Sequence, residues 1–207
     1  MNSIENIYFI GGSPCSGKST IAEILSEKLD FTYFKVDDHL DRYMEAAASH
    51  GSAVCKKSRE MHPDEVWMRD PSLQCVEELQ IYEDIFPYVL ADLEQLPGDK
   101  PIVTEGAAYL PKLMKQTGIL PNRFLSLTPT PKFQISHYSK REWVPYVLEG
   151  CRDKEQAFSN WMERDILFAE EVRQQCAKVQ YVSLVNNGEA SVAEMVEFVI
   201  SHFGLTK

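Results

Sequence analysis

Residues 7–19 read Ile7-Tyr8-Phe9-Ile10-Gly11-Gly12-Ser13-Pro14-Cys15-Ser16-Gly17-Lys18-Ser19, and this segment decides the fold. It holds the spacing G-x-x-x-x-G-K-S, with Gly12, Gly17, Lys18 and Ser19 at the fixed positions. Two glycines let the backbone fold back so that several N–H groups converge on one anion-sized hollow. A lysine at the seventh position reaches the β- and γ-phosphates of a nucleotide, and the hydroxyl after it reaches Mg²⁺. The helix that opens here adds its positive end. The flanks agree with this reading. Ile7 to Ile10 is a short apolar run suited to a buried strand. Ile21, Ala22, Ile24, Leu25 and Leu29 form the stripe of an amphipathic helix. A Gly/Ser turn that merely contains a lysine would need the pattern and both flanks to be accidents.

Outward from this loop, short apolar runs alternate with longer amphipathic segments, as in a parallel sheet with crossover helices. Strands are expected near 6–11, 31–36, 101–105, 122–127 and 180–185. Helices are expected near 18–29, 40–48, 73–96, 154–178 and 191–203, the last opened by a capping box of Ser191 and Glu194. In that helix Val192, Met195, Val196 and Val199 repeat at helical spacing. Two stretches fall outside a minimal nucleotide-binding core. Residues 45–72 mix His, Lys, Arg, Cys and Trp without strong periodicity and are read as a substrate cover. Residues 128–153 carry Lys132, His137, Lys140, Arg141 and Arg152 and are read as a phosphate lid. Ligands in open α/β sheets bind beyond the carboxyl ends of the strands, where both stretches emerge. Solvated surface loops are the alternative.

The 207 residues are 44% hydrophobic and 25% charged, enough for one α/β domain over 1–207 with helical insertions. A formal net charge of −10 argues against a general nucleic-acid surface. No segment is long and apolar enough to suggest a membrane span. The start, Met1-Asn2-Ser3-Ile4-Glu5-Asn6, lacks the basic and apolar parts of a signal peptide. Five scattered cysteines (Cys15, Cys55, Cys75, Cys151, Cys176) form no C-x-x-C pair, so a reducing, cytoplasmic setting is expected. Cys15 is either a small residue filling the loop or a thiol whose pKa the local field lowers. The five histidines have no metal-ligand spacing.

Carboxylates close two of the expected strands. Val36 is followed by Asp37-Asp38-His39, and an acid at this tip can accept the proton of an attacking hydroxyl or orient Mg²⁺. Asp37 directly follows the strand and is the first choice for the base, while either acid could instead cap the next helix. Ile102-Val103-Thr104 leads to Glu105-Gly106, where Glu105 would serve Mg²⁺ or a substrate hydroxyl, unless it is solvated at the surface. Arg141, Arg152 and Arg164 are the cations suited to spread phosphoryl charge, since guanidinium groups match phosphate oxygens bidentately. Arg164 could equally pair with a carboxylate on its own helix. Trp67 and Arg69 could clamp an acceptor, or Trp67 could form the small core of the cover.

Together these motifs resemble a P-loop kinase of the nucleoside-monophosphate-kinase type over most of the chain. Val36-Asp37 is similar to the strand-and-acid arrangement of chloramphenicol phosphotransferase-like and zeta-toxin-like small-molecule kinases. The resemblance implies a three-layer P-loop NTPase fold, a five-stranded parallel sheet in the order 2-3-1-4-5, ATP with Mg²⁺, and transfer to a hydroxyl or phosphate acceptor. It puts the base on Asp37 and the phosphate loop on Gly12–Ser19. No Asp-Gly-Phe-Pro-Arg segment like that of adenylate kinases is present, and adjacent Asp37-Asp38 stands where shikimate kinases have Asp-x-Asp.

The expectation is therefore an ATP-dependent phosphotransferase acting on a hydroxyl of a small molecule, as a monomer or homodimer. Lys18, Asp37 and Arg141 would be catalytic. Gly12, Ser13, Pro14, Cys15, Ser16, Gly17, Lys18, Ser19 and Thr20, with Arg152 and Arg164, would bind the nucleotide. Ser19, Asp37 and Glu105 would serve the metal. Two rivals are a nucleotide-sensing ATPase or GTPase module without an acceptor, and a partner-binding protein with a degenerate site. No N-K-x-D guanine-reading segment is evident; Val185-Asn186-Asn187-Gly188 is expected to pass the adenine edge.

Overall fold

The computed structural model describes residues 6–205. The amino-terminal segment read for a signal peptide falls mostly on residues 1–5, outside the described residues. Five parallel strands form one sheet: β1 (Ile7–Gly12), β2 (Thr32–Lys35), β3 (Ile102–Glu105), β4 (Phe124–Pro129) and β5 (Val182–Asn186). Their order is β2-β3-β1-β4-β5, so the expected topology holds. All six residues of β1 and all four of β3 are buried, which explains the apolar runs Ile7–Ile10 and Ile102-Val103 that open them.

The side chains of β1 divide by parity. Tyr8 and Ile10 join a core with Ile21 and Leu25 of α1 (Lys18–Leu29) and with Met195, Val199 and Phe203 of α10 (Val192–Phe203). Ile7 and Phe9 join the larger core on the opposite face. There they meet α2 (Leu40–Ser49), α5 (Pro71–Gln95) and α9 (Lys154–Val179) through Tyr43, Ile85, Val89, Phe168 and Val172. Helices thus cover both faces, giving three layers.

Helix starts follow the capping chemistry. Asp70 accepts hydrogen bonds from the Ser72 and Leu73 amides at the start of α5, and Asp153 does the same for Gln156 in α9. Ser191 and Glu194 form the expected capping box. Val192 departs from expectation: it is exposed, because the buried stripe of α10 runs through Met195, Val196, Val199, Ile200 and Phe203.

Residues 45–72 are more regular than their sequence implied. They hold the end of α2, then α3 (Ala53–Glu60) and α4 (Pro63–Trp67). Both new helices are short; α3 buries only Cys55 and α4 buries nothing, so neither leaves a readable stripe. The helix α6 (Pro111–Gln116) follows β3. In residues 128–153, read as a lid, β4 continues to Pro129, and α7 (Pro131–Tyr138) and α8 (Val144–Val147) follow. Tyr138, Val144, Leu148, Cys151, Trp161 and Met162 form a separate small core that packs this stretch against α9.

Candidate active site

Between β1 and α1 the chain wraps a hollow whose shape depends on two glycines. Gly12 has φ +121°, and a Cβ there would lie 1.9 Å from the carbonyl oxygen of Leu127, so the loop passes flush against β4. Gly17, with φ +97°, sets the left-handed turn that opens α1. Cys15 is also left-handed, with φ +59°. The Asn186 side-chain amide ties β5 to the loop by donating to the Ser16 carbonyl at 3.0 Å. Lys18 is buried and its Nζ donates to the Ser13 carbonyl at 2.8 Å, folded over the hollow. The Ser13 and Ser16 hydroxyls are buried without hydrogen-bond partners. The first turn of α1 has no acidic residue, so its positive end is uncompensated.

Sheet order brings the carboxylates here. β3 lies between β1 and β2, and Glu105 is level with both Ile10 and Lys35. Glu105 is 1% exposed and accepts hydrogen bonds from Ser19 Oγ at 2.9 Å and Tyr33 Oη at 3.2 Å. Burial pushes its pKa up, as does the charge of Asp37; Lys18 and the two hydroxyls oppose this without cancelling it. Asp37 sits in a 3₁₀ turn (Val36–His39) directly after β2 and lines the same cavity as Lys18 and Ser19. Asp38 points elsewhere, with a carboxylate oxygen 3.6 Å from Lys35 Nζ. No side chain caps α2, so neither acid serves as its cap.

The cavity above the loop measures about 540 Å³. Pro14, Cys15, Ser16, Gly17, Lys18, Ser19 and Thr20 form its floor, and Tyr138, Arg141, Trp143 and Trp161 its roof. The Arg141 guanidinium lies 4.9 Å from the Tyr138 ring centre and 5.4 Å from that of Trp143, which holds it over the loop. Its Nη2 is 3.7 Å from Cys15 Sγ. Even so, burial dominates at Cys15 and raises the thiol pKa, the opposite of an activated cysteine. A neighbouring cavity of about 220 Å³ runs along the loop between Phe133 and His137 of α7, Asn186, and Val192 and Met195 of α10. Asn186 of the Val185–Gly188 segment is thus beside the loop.

Two of the three arginines fall outside this site. The Arg152 side chain is 73% exposed, its Nε 3.7 Å from Asp64 Oδ2. It precedes α9 and lines neither cavity beside the loop. Arg164 is buried, because the turn of α9 directs it at α5: it is ion-paired with Glu78, and its Nε is 2.7 Å from Asp165 Oδ1. Its guanidinium lies 5.1 Å over the Trp67 ring. It lines a third cavity of about 220 Å³ under the cover, together with Trp67 and Arg69. Trp67 in turn stacks on Trp161, ring centres 4.7 Å apart. Lys35, Tyr138, Trp143 and Trp161 went unnoticed in sequence; the readable signal was the aromatic residues flanking Arg141.

Among the described residues, no cluster of three or more His, Cys, Asp or Glu side chains is placed to hold a metal ion by itself. No described helix is long and apolar enough to cross a membrane. No family model matches the chain, and no curated protein matches it. Among solved structures it is similar to TT1252 from Thermus thermophilus, at 17% identity over 97% of this chain and 98% of that one, with a TM-score of 0.52. A shikimate kinase from Acinetobacter baumannii, crystallised with shikimate, aligns at 13% identity over 94% and 90%, with a TM-score of 0.49. The shikimate kinase of Bacteroides thetaiotaomicron aligns at 15% identity over 94% and 96%, with a TM-score of 0.45. At these identities the likeness is one of fold.

Proposed function

We propose that the protein is an ATP-dependent phosphotransferase that moves the γ-phosphate to a hydroxyl of a small molecule. The observation that carries this reading is the convergence of Lys18, Ser19, Asp37 and Arg141 on one cavity above the Gly12–Gly17 loop. The loop amides and the α1 N-terminus hold the phosphate tail. Lys18 leaves the Ser13 carbonyl to meet the charge that builds on the transferred group, and Arg141 meets it from above. Asp37 accepts the proton of the acceptor hydroxyl as that oxygen bonds to the γ-phosphorus. The bond from phosphorus to the β,γ-bridging oxygen breaks, and ADP departs with the electron pair.

The donor set suits Mg²⁺: Ser19 and Glu105 put a hydroxyl and a carboxylate 2.9 Å apart, with Asp37 in the same hollow, and all are hard oxygen ligands. When bound, the ion neutralises charge on the β- and γ-phosphate oxygens. The nucleotide base would occupy the cavity between Phe133 and Asn186. Arg152 and Arg164 would reach phosphate only after a rearrangement, and the reading does without them. Closure of Tyr138, Arg141 and Trp143 over the loop would exclude water, which otherwise wastes ATP.

A nucleotide-sensing module needs no acceptor space, so the third cavity favours a kinase. The likeness of Val36-Asp37 to chloramphenicol phosphotransferase-like and zeta-toxin-like proteins belongs to this reading and rests on those residues alone. So does the assignment of one domain, monomeric or homodimeric, in the cytoplasm; the five free thiols support a reducing compartment. The test is Asp37→Asn. Protection of the fold by Mg-ATP is expected to persist while acceptor-dependent ADP release falls by roughly 10²–10⁴. Unchanged turnover would remove Asp37 from the mechanism. ADP release indifferent to a broad panel of hydroxyl compounds would favour the sensor.

A further inference from the structure

Arg141 reaches the cavity above the loop from the turn between α7 and α8. It is exposed and forms no ion pair among the described residues. Its backbone is fixed, because its amide donates to the Tyr138 carbonyl at 3.0 Å and its carbonyl accepts from the Val144 amide at 3.2 Å. Its side chain has only a weak bond to Cys15 Sγ and the rings of Tyr138 and Trp143, 4.9 Å and 5.4 Å from the guanidinium carbon. Ring contact differs from ion pairing in what it leaves free. A carboxylate takes the in-plane N–H donors of a guanidinium, as Glu78 does on Arg164. An aromatic ring attracts the cation without accepting from those donors, so they stay available to phosphate oxygens.

Those two rings are set by a third. Trp161 of α9 is 5% exposed, with its ring centre 5.1 Å from that of Tyr138 and 5.9 Å from that of Trp143. It is backed by Trp67 of α4, stacked on it at 4.7 Å. Trp67 is tied to α9 in turn, since its carbonyl accepts from Asn160 Nδ2 at 2.9 Å. All three tryptophans of the chain therefore meet in one stack that ends on Arg141. The Trp161 indole N–H is buried without a hydrogen-bond partner. A buried indole N–H is normally bonded, so ring contact decides where Trp161 sits. The guanidinium of Arg141 lies over the two rings that Trp161 touches, and not over the Trp161 ring itself.

We infer that Trp161 is a positioning residue for phosphoryl transfer: through Tyr138 and Trp143 it keeps Arg141 over the loop with its donors free for the γ-phosphate. An arginine without that support must give up the freedom of a long side chain each time it meets phosphate, and its contact weakens accordingly. This inference rests on the phosphotransferase reading, but its test needs neither turnover nor the acceptor.

Calorimetry on the full chain gives the affinities for Mg-ADP and for the magnesium complex of β,γ-imido-ATP, a hydrolysis-resistant triphosphate. Their ratio isolates the γ-phosphate, the group that Arg141 meets. Arg141→Met is expected to lower the preference for the triphosphate about tenfold, the worth of a hydrogen bond to a charged group. Trp161→Met is expected to lower it about five- to tenfold, the worth of two cation–π contacts. Combined with Arg141→Met, it is expected to lower the preference no further, because no guanidinium remains to be positioned. Trp161→Phe keeps a ring and drops only the unbonded N–H, so it is expected to stay within about twofold of wild type. A tryptophan that only filled space would weaken both nucleotides equally, or would add its loss to that of Arg141→Met; either result overturns the inference. So does a Trp161→Phe chain as impaired as Trp161→Met, or an unaltered ratio in Arg141→Met. If Trp161→Met does not fold, Trp143→Leu, which removes a ring that is 43% exposed, takes its place in the same cycle, and additive losses there overturn the inference. A wild-type chain that binds neither magnesium complex would instead sink the phosphotransferase reading, so the two failures are distinct.

Discussion

Asp165 is the group whose removal should tell most about how this fold carries its buried charge. It is 1% exposed on α9, between Arg164, Glu78, Tyr138 and Cys15 of the Gly12–Gly17 loop. Arg164 Nε approaches one carboxylate oxygen at 2.7 Å but is not aligned for a hydrogen bond, and neither oxygen has a hydrogen-bond partner. Burial therefore outweighs the attraction of Arg164 and pushes the carboxyl from an ordinary 3.8 up to about 6. The raised value means the folded protein holds this proton more tightly than the unfolded chain does. Its contribution to stability is fully present below pH 3.8 and is lost as pH rises through about 6. At pH 7.5 the ionised group costs roughly 3 kcal/mol, about two pH units at 1.36 kcal/mol each. Asp165→Asn mimics the protonated form and leaves Arg164 its pair with Glu78. The expected result is a variant more stable than wild type by up to about 3 kcal/mol at pH 7.5 and nearly equal to it near pH 4. Urea unfolding of both proteins at pH 4, 6 and 7.5 measures this, and their difference cancels the titration of carboxylates distant from Asp165. A difference that does not vary with pH, or a variant less stable at pH 7.5, would refute the reasoning. The Asp165–Arg164 pair would then be net stabilising.

Three further outcomes are expected. Gly12→Ala places a Cβ 1.9 Å from the Leu127 carbonyl oxygen at φ +121°, so the loop must leave β4; calorimetry should find Mg-ATP binding abolished and the melting temperature lowered. Glu105→Gln keeps an acceptor for Ser19 and Tyr33 but removes a charge that burial disfavours; stability at pH 7 should hold or rise while the Mg²⁺ dependence of ATP binding weakens, and an unaltered Mg²⁺ titration would exclude Glu105 from the metal site. Ser191→Ala breaks the capping box of α10 and should lower stability by about 1 kcal/mol, a shift of about 2–4 °C in Tm, with turnover untouched.

Sequence alone determined what depends on near neighbours in the chain. The loop was legible because its glycines set backbone geometry over a few residues, and the lysine and serine follow them at once in the chain; Gly12 and Gly17 do adopt φ values that favour glycine. The central strands β1, β3 and β4 were legible because burial on both sheet faces favours short apolar runs, and the Ser191 box because a cap is a contact across three residues. The short helices α3, α4, α7 and α8 were not, since one or two turns cannot establish a 3.6-residue period. Tertiary structure alone decided how the charges are distributed. The flanking Tyr138 and Trp143 mark Arg141 in the sequence, but only the packing sets it over the loop, leaves Arg152 exposed and turns Arg164 toward Glu78 of α5. It also raised the Cys15 thiol and the Glu105 carboxyl, because desolvation depends on what the rest of the chain packs around a group. Glu105 meets Ser19 across 86 residues only because β3 is laid beside β1, a pairing set by the packing of helices on both faces of the sheet.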